Sequence, residues 1–126
     1  HSKNTLNQIE KVLDENDIKP KDVNKIMIIN GPGSFTGLRI GVTIAKIYAW
    51  ACNIKVIPIS TLKAYALSYD NYDYYVSLLD ARRNCFYAGI FDKYYNNMMS
   101  DKYIKKEDLI DKITDFSNMK IKILIL

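Results

Sequence analysis

Gly31-Pro32-Gly33-Ser34-Phe35-Thr36-Gly37-Leu38-Arg39-Ile40-Gly41-Val42, followed directly by Thr43-Ile44-Ala45-Lys46-Ile47-Tyr48-Ala49-Trp50, is the stretch from which the rest of the chain is read. The apolar run Ile26-Met27-Ile28-Ile29 precedes it, so the order reads strand, tight loop, helix. Gly31 and Gly33 permit positive φ or a close backbone approach, Pro32 fixes its own φ, and Ser34 is suited to cap the helix. Backbone N–H groups at such a helix start attract a phosphate or a carboxylate, which makes Gly31, Gly33, Ser34, Thr36 and Gly37 a candidate anion-binding loop. The other reading is that the glycines only make the turn and the close packing, and spacing leaves both open. The pattern Gly31-x-Gly33-x-x-x-Gly37 is one residue too long for the dinucleotide fingerprint. No Gly-Lys-Ser/Thr follows as in a P-loop.

In the helix, Gly37, Gly41, Ala45 and Ala49 recur every four residues and give one side a groove of small residues. Leu38, Ile40, Val42, Ile44, Ile47, Tyr48, Trp50 and Ala51 cover most of the rest, leaving Arg39, Thr43 and Lys46 as a narrow polar stripe. The pattern predicts a helix buried on several sides, against its own sheet and against a partner subunit. It is no membrane span, because Arg39 and Lys46 interrupt an apolar run already shorter than the roughly 20 residues a bilayer needs.

With 126 residues, 48% hydrophobic and 25% charged, the chain reads as a soluble globular protein of one large domain or two small lobes. The net charge of +4 comes almost wholly from scattered lysines, with Arg82-Arg83 and Lys105-Lys106 the only adjacent cations. No basic run with interleaved aromatics marks a nucleic-acid site. Cys52 and Cys85 are too few and too far apart for a metal motif and are expected as buried small residues. No signal peptide, lipidation box or spanning segment is present, which points to the cytoplasm. The chain opens on His1, not Met, as a fragment or processed form would.

The loop and helix, together with Ile57-Pro58-Ile59-Ser60-Thr61-Leu62 and Asp80-Ala81-Arg82-Arg83, resemble the TsaB family, in order from His1-Ser2 to about Asp92. The resemblance implies an α/β, two-lobed fold of the actin and sugar-kinase (ribonuclease H-like) type, here lacking the N-terminal β-meander of the first lobe. Residues 1–70 would be a partial first lobe and 71–126 the second lobe, clipped at its C-terminus. Loss of the meander would leave apolar surface and a strand edge exposed. The implied role is a non-catalytic scaffold, without an active site of its own, that pairs with a TsaD-like catalytic subunit. The pair works with a TsaE-like ATPase in threonylcarbamoyl transfer to the adenosine next to the tRNA anticodon. ATP is used by the wider complex, tRNA is reached through it, and the chain is expected to carry no cofactor or metal and to touch no membrane.

The interface expected from this resemblance comprises Leu6, Ile9 and Leu13 of the first helix with Gly37, Leu38, Gly41, Ala45, Tyr48 and Ala49 of the central one. A homodimer through the same face is a variant. On this reading Gly41→Arg abolishes pairing while costing less in the fold of the complete protein; if Gly41 instead faces its own sheet, the variant unfolds. Asn84-Cys85 stand where the family usually has Gly-Glu, so any function tied to that glutamate is not carried over.

Elsewhere Leu6, Ile9, Val12 and Leu13 predict a helix from Ser2, and residues 25–29 and 54–58 read as strands around a helix over about 34–52. Pro58 is expected to end its ladder. A helix over 61–69, strands at 74–80 and 85–91 joined by a hairpin, a polar segment to about 100, a helix from 106 and a strand over 120–126 complete the reading. Asp80 is expected in a surface or hinge ion pair with Arg82 or Arg83. A small kinase or ATPase of the same superfold, using the Gly31–Gly37 loop, is the competing function, but no carboxylate pair for Mg²⁺ stands beside that loop. A peptidase is disfavoured by a lone histidine and no metal motif.

Overall fold

The apolar residues that recur at helical spacing after Ser2 lie on α1 (Ser2–Glu15), the first element of the structure, a computed structural model that describes residues 2–116 and 118–126. Ile9 and Leu13 are half-buried, whereas Leu6 and Val12 stay exposed. The helix stops because Asp17 turns left-handed (φ 54°), and the Ile18 N–H returns to the Leu13 carbonyl at 2.9 Å. Strands β1 (Lys25–Ile29) and β2 (Lys55–Ile59) pair in parallel, Lys25 opposite Lys55 through Ile29 opposite Ile59. Parallel neighbours need a crossover, which α2 (Phe35–Cys52) supplies. Asn53 in the left-handed region (φ 53°) ends it.

Pro58 does not end the ladder: it pairs with Ile28, and the Asn30 N–H still reaches the Ile59 carbonyl at 3.1 Å. Among the described residues β2 has a strand on one side alone, and an edge strand tolerates the missing N–H.

Two compact units divide at His1–Ile59 and Ser60–Leu126. The sequence pattern places the division at 70/71, and the difference is α3 (Thr61–Ala66), capped by Ser60, whose Leu62 and Ala66 pack with Tyr75, Phe91 and Leu124. The helix is shorter than the expected 61–69. Beyond Ala66 the Ser68 and Tyr69 N–H groups bond three residues back, to Tyr65 and Ala66, so the chain closes in a turn.

The second unit is built on a four-stranded sheet in the order β5-β4-β3-β6, from β3 (Tyr74–Asp80), β4 (Cys85–Asp92), β5 (Asn97–Lys105) and β6 (Ile121–Ile125). β3 and β4 are buried on both faces because helices cover both. Tyr75 and Phe91 meet α3, whereas Val76, Leu78, Ala88 and Ile90 meet Leu109 of α4 (Lys106–Thr114). β6 joins parallel to β3, and the Lys120 N–H donates to the Asp73 carboxylate at 2.9 Å just before it.

The expected polar segment up to residue 100 is wrong in part, since β5 begins at Asn97. Only Met99 and Ile104 of this edge strand are buried, and register shifts around Ile90 interrupt its alternation. Gly89 sits at that irregularity, where an added side chain would collide with the Asp101 carboxylate.

Tyr95 stacks on Tyr75 with ring centroids 5.0 Å apart, and its hydroxyl donates to the Tyr69 carbonyl. The hydrogen bond with Tyr75, then desolvation, push the Tyr95 pKa up to about 12. An unfolded tyrosine ionises near 10, so this group's stabilisation is complete below about pH 10 and is lost as pH rises from there to about 12. Tyr95→Phe is expected to remove the tyrosinate absorbance step near pH 12 and to make the alkaline loss of stability shallower. Leu62→Ala, at a fully buried position, should cost about 2–5 kcal/mol in denaturant unfolding. Leu67→Ala, nearly half exposed, should cost less than about 1 kcal/mol.

Candidate functional site

Ser34 shapes the start of α2: its hydroxyl accepts the Gly37 N–H at 3.4 Å and its carbonyl accepts the Leu38 N–H at 2.9 Å. Gly31 has φ +113°, a value side-chain-bearing residues rarely adopt, and a Cβ there would stand 3.2 Å from Leu38 Cδ1. At Gly33 the same methyl would be 3.8 Å away. Both glycines therefore let the loop fold down on Leu38 of its own helix. Ser34, Thr36 and Gly37 instead face an open cleft of about 610 Å³, shared with Asn4, Thr5 and Gln8 of α1. Among the described residues no cationic side chain lines it, so the attraction they offer an anion would rest on backbone dipoles and hydroxyls.

The small-residue groove of α2 turns toward its own unit. Ala45 and Ala49 are buried, and a Cβ on Gly41 would meet Ile28 Cδ1 of β1 at 3.6 Å. Gly41, Ile44, Ala45 and Tyr48 line an apolar cleft of about 380 Å³ with Ile9 and Leu13 of α1 and Ile26 and Ile28 of β1. The Tyr48 hydroxyl is buried there with no hydrogen-bond partner among the described residues, and desolvation, with Cys52 adding, raises its pKa. An arginine at Gly41 would be driven toward Ile28. Gly41 thus faces its own sheet, the case in which Gly41→Arg is expected to unfold the protein.

Of the expected interface set, Leu6 and Gly37 are exposed, Ile9, Leu13, Leu38, Gly41 and Tyr48 are half-buried, and Ala45 and Ala49 are closed off. The helix is not buried on several sides within its unit. Phe35, Ile47 and Trp50 are 72%, 61% and 85% exposed, with the Arg39 guanidinium 5.2 Å from the Phe35 ring centroid. At 3.6 residues per turn these three fall with Arg39, Thr43 and Lys46 inside about 120° of arc. Sequence reasoning missed them as a surface. The available signal was that Phe35 stands four residues before Arg39 and Trp50 four after Lys46, which puts both aromatics on the polar stripe.

In the second unit the Asp80 carboxylate accepts the Arg82 backbone N–H at 2.9 Å and caps the turn. The expected ion pair with Arg82 or Arg83 does not form: among the described residues the ion pair present is Lys11–Glu15 at 3.8 Å. Cys85 is buried and Cys52 half-buried, both as free thiols. No group of three or more His, Cys, Asp or Glu among the described residues is arranged to hold a metal ion. No helix among them is long and apolar enough to cross a membrane.

The sequence family described as TsaD, tRNA N6-adenosine threonylcarbamoyltransferase, matches residues 1–123. The tRNA threonylcarbamoyladenosine biosynthesis protein TsaB of Bacillus subtilis (strain 168) is 33% identical over 111 residues, covering 87% of this chain and 48% of that protein. The TsaB protein of Haemophilus influenzae is 36% identical over 87 residues, covering 67% and 37%. The chain thus spans about half the length of the Bacillus protein and less of the Haemophilus one. Among solved structures, YeaZ from Pseudomonas aeruginosa aligns with a TM-score of 0.69 at 24% identity, over 82% of this chain and 51% of that one. A second, described as an uncharacterized protein with similarity to peptidase YEAZ from Pseudomonas aeruginosa, gives 0.71 at 24% identity, over 79% and 49%. These likenesses show the fold, an α/β architecture of the actin-like class.

Glycine substitutions separate the two local roles. Gly41→Ala fits its 3.6 Å of space and is expected to leave the unfolding free energy unchanged or to raise it by up to about 1 kcal/mol. Gly31→Ala forces a side chain onto left-handed backbone against Leu38 and should destabilise by about 1–3 kcal/mol, read by the same chemical denaturation.

Proposed function

The chain belongs to the TsaB (YeaZ) family, and from that premise we propose that it serves tRNA threonylcarbamoyladenosine biosynthesis in the cytoplasm as a scaffold, pairing with a TsaD-like catalytic subunit. It supplies no active site of its own. The observation that carries this reading is the exposed stripe of α2, above all Trp50 at 85% exposure. Large aromatics in water mark protein contacts, because burying one gains apolar area at a low cost in side-chain entropy. Tryptophan is also among the residues that dominate interface energetics. Phe35 and Ile47 extend the apolar contact, and Arg39 and Lys46 give it a charged margin of the kind interface rims carry.

The same reading holds that the first lobe of the whole protein includes further N-terminal strands, which pair with β1 and fill the cleft beside α1. Two observations support it: β1 has β2 on one side and no other strand among the described residues, and the cleft is lined almost wholly by apolar groups. A two-stranded sheet is marginal by itself. The TsaE-like ATPase and the tRNA belong to the assembly that the pair forms.

Co-purification of the full-length protein with its TsaD-like subunit tests the scaffold. Wild type should hold the subunit, and Trp50→Glu should weaken the pair at least tenfold while its circular dichroism matches wild type. Failure of wild type to bind would overturn the role, and full binding by Trp50→Glu would remove this face from the interface.

A further inference from the structure

The two adjacent cation pairs of the sequence, distant along the chain, meet at one corner of the second unit. Cys85 pairs with Lys105 across β4 and β5, and the Lys106 N–H donates to the Asn84 carbonyl at 2.8 Å. Arg82, Arg83, Lys105 and Lys106 are all exposed there. The turn that carries the arginines is tightly specified. Arg82, Arg83 and Asn84 have φ of 65°, 52° and 56°, left-handed values that few residues other than glycine adopt, and here three come in succession. The Asp80 carboxylate at the Arg82 N–H, the Ala81 N–H at the Cys85 carbonyl (2.9 Å) and the Cys85 N–H at the Arg82 carbonyl (3.0 Å) hold them in place. Glycines would make such a turn with less strain, so two arginines on strained backbone point to a use for the side chains.

Beside the cations lies an exposed aromatic pair. Tyr87 and Tyr103 face each other across β4 and β5 with ring centroids 5.6 Å apart at 62°, and they are 41% and 55% exposed. Each stands two residues from the Cys85–Lys105 pair, hence on the same face of the sheet. Of the nearby acids, Asp80 is engaged with the turn, Glu107 and Asp108 sit in the first turn of α4, where the helix N-terminus offsets their charge, and Asp111 lines the cleft beside Tyr103 together with Lys102 and Lys112. Cations that reach phosphates, next to rings on which a base can stack, form the combination that single-stranded nucleic acid binds. A paired duplex presents no free base faces, and an acidic peptide has no bases to stack.

We propose that this corner binds a single-stranded segment of RNA directly, with Arg82, Arg83, Lys105 and Lys106 on its phosphates and Tyr103, backed by Tyr87, stacking an unpaired base. This goes beyond the scaffold reading and takes from it only the choice of RNA. Its test uses no partner subunit, so the two ideas fail separately.

The test is fluorescence anisotropy of a labelled, unstructured oligoribonucleotide of about ten nucleotides, titrated with the chain at several salt concentrations. Saturable binding is expected, with a log–log salt slope of about −2 to −3 for four neutralised phosphates, and weaker binding of the duplex of the same sequence. Arg82→Glu/Arg83→Glu, or Lys105→Glu/Lys106→Glu should the first variant lose its circular dichroism, is expected to weaken binding at least tenfold and flatten the slope. Tyr103→Ala should weaken it about tenfold with the slope unchanged. Lys3→Glu, in the first unit, should bind as wild type. Absence of saturable binding at low salt, equal losses in Lys3→Glu and the corner variants, wild-type binding by Tyr103→Ala, or capture by anionic vesicles in place of RNA would each overturn the proposal.

Discussion

The first unit depends on one imbalance: α2 carries more apolar surface than a two-stranded parallel sheet and one neighbouring helix can cover. Its small-residue side is satisfied, with Ala45 and Ala49 buried and Gly41 against Ile28. The opposite side leaves Phe35, Ile47 and Trp50 in water around a thin polar stripe. Burying a side chain of that size is worth roughly 1.5–3 kcal/mol, a large fraction of the net stability of a small domain. Exposing three of them is therefore costly unless another surface covers them, the need that the proposed scaffold role would meet.

The second unit shows the opposite balance. Its middle strands β3 and β4 are covered on both faces, by α3 over Tyr75 and Phe91 and by α4 over Val76 and Ile90. What it leaves outside includes charge and tyrosine, besides scattered aliphatic side chains such as Ile123 and Ile125 of β6. Packing concentrates charge and tyrosine at the 80–85 turn, because the hairpin brings the start of β4 against the end of β5. The two units thus offer different surfaces, one apolar and helical, the other cationic and aromatic.

Much of this was legible in the sequence where the signal is local. The run Lys25–Ile29, the glycine loop, the Ser34 cap and the α2 periodicity needed only neighbouring residues, as did the 74–80 and 85–92 strands with their turn. β5 was missed because most of its side chains are exposed and an irregularity around Ile90 breaks the period of two. The sequence pattern puts residues 61–70 with the first lobe, whereas the packing partners of α3, Tyr75, Phe91 and Leu124, come later in the chain. The direction of the α2 groove was likewise invisible, since Gly41 could face its own sheet or a partner with the same spacing. The cationic corner depends on strand register, which a sequence lacking a clear β5 does not supply.

Trp50 is the only tryptophan in the chain, so its fluorescence reports directly on the face that the scaffold account places at the interface. In the full-length protein, provided it adds no second tryptophan, excitation of Trp50 should give a water-like, red-shifted emission that iodide quenches readily. Addition of the TsaD-like subunit, with any tryptophan of its own replaced by phenylalanine, is predicted to shift that emission to the blue and to protect it from quenching. A complex that forms while Trp50 emission and quenching stay unchanged would contradict the account.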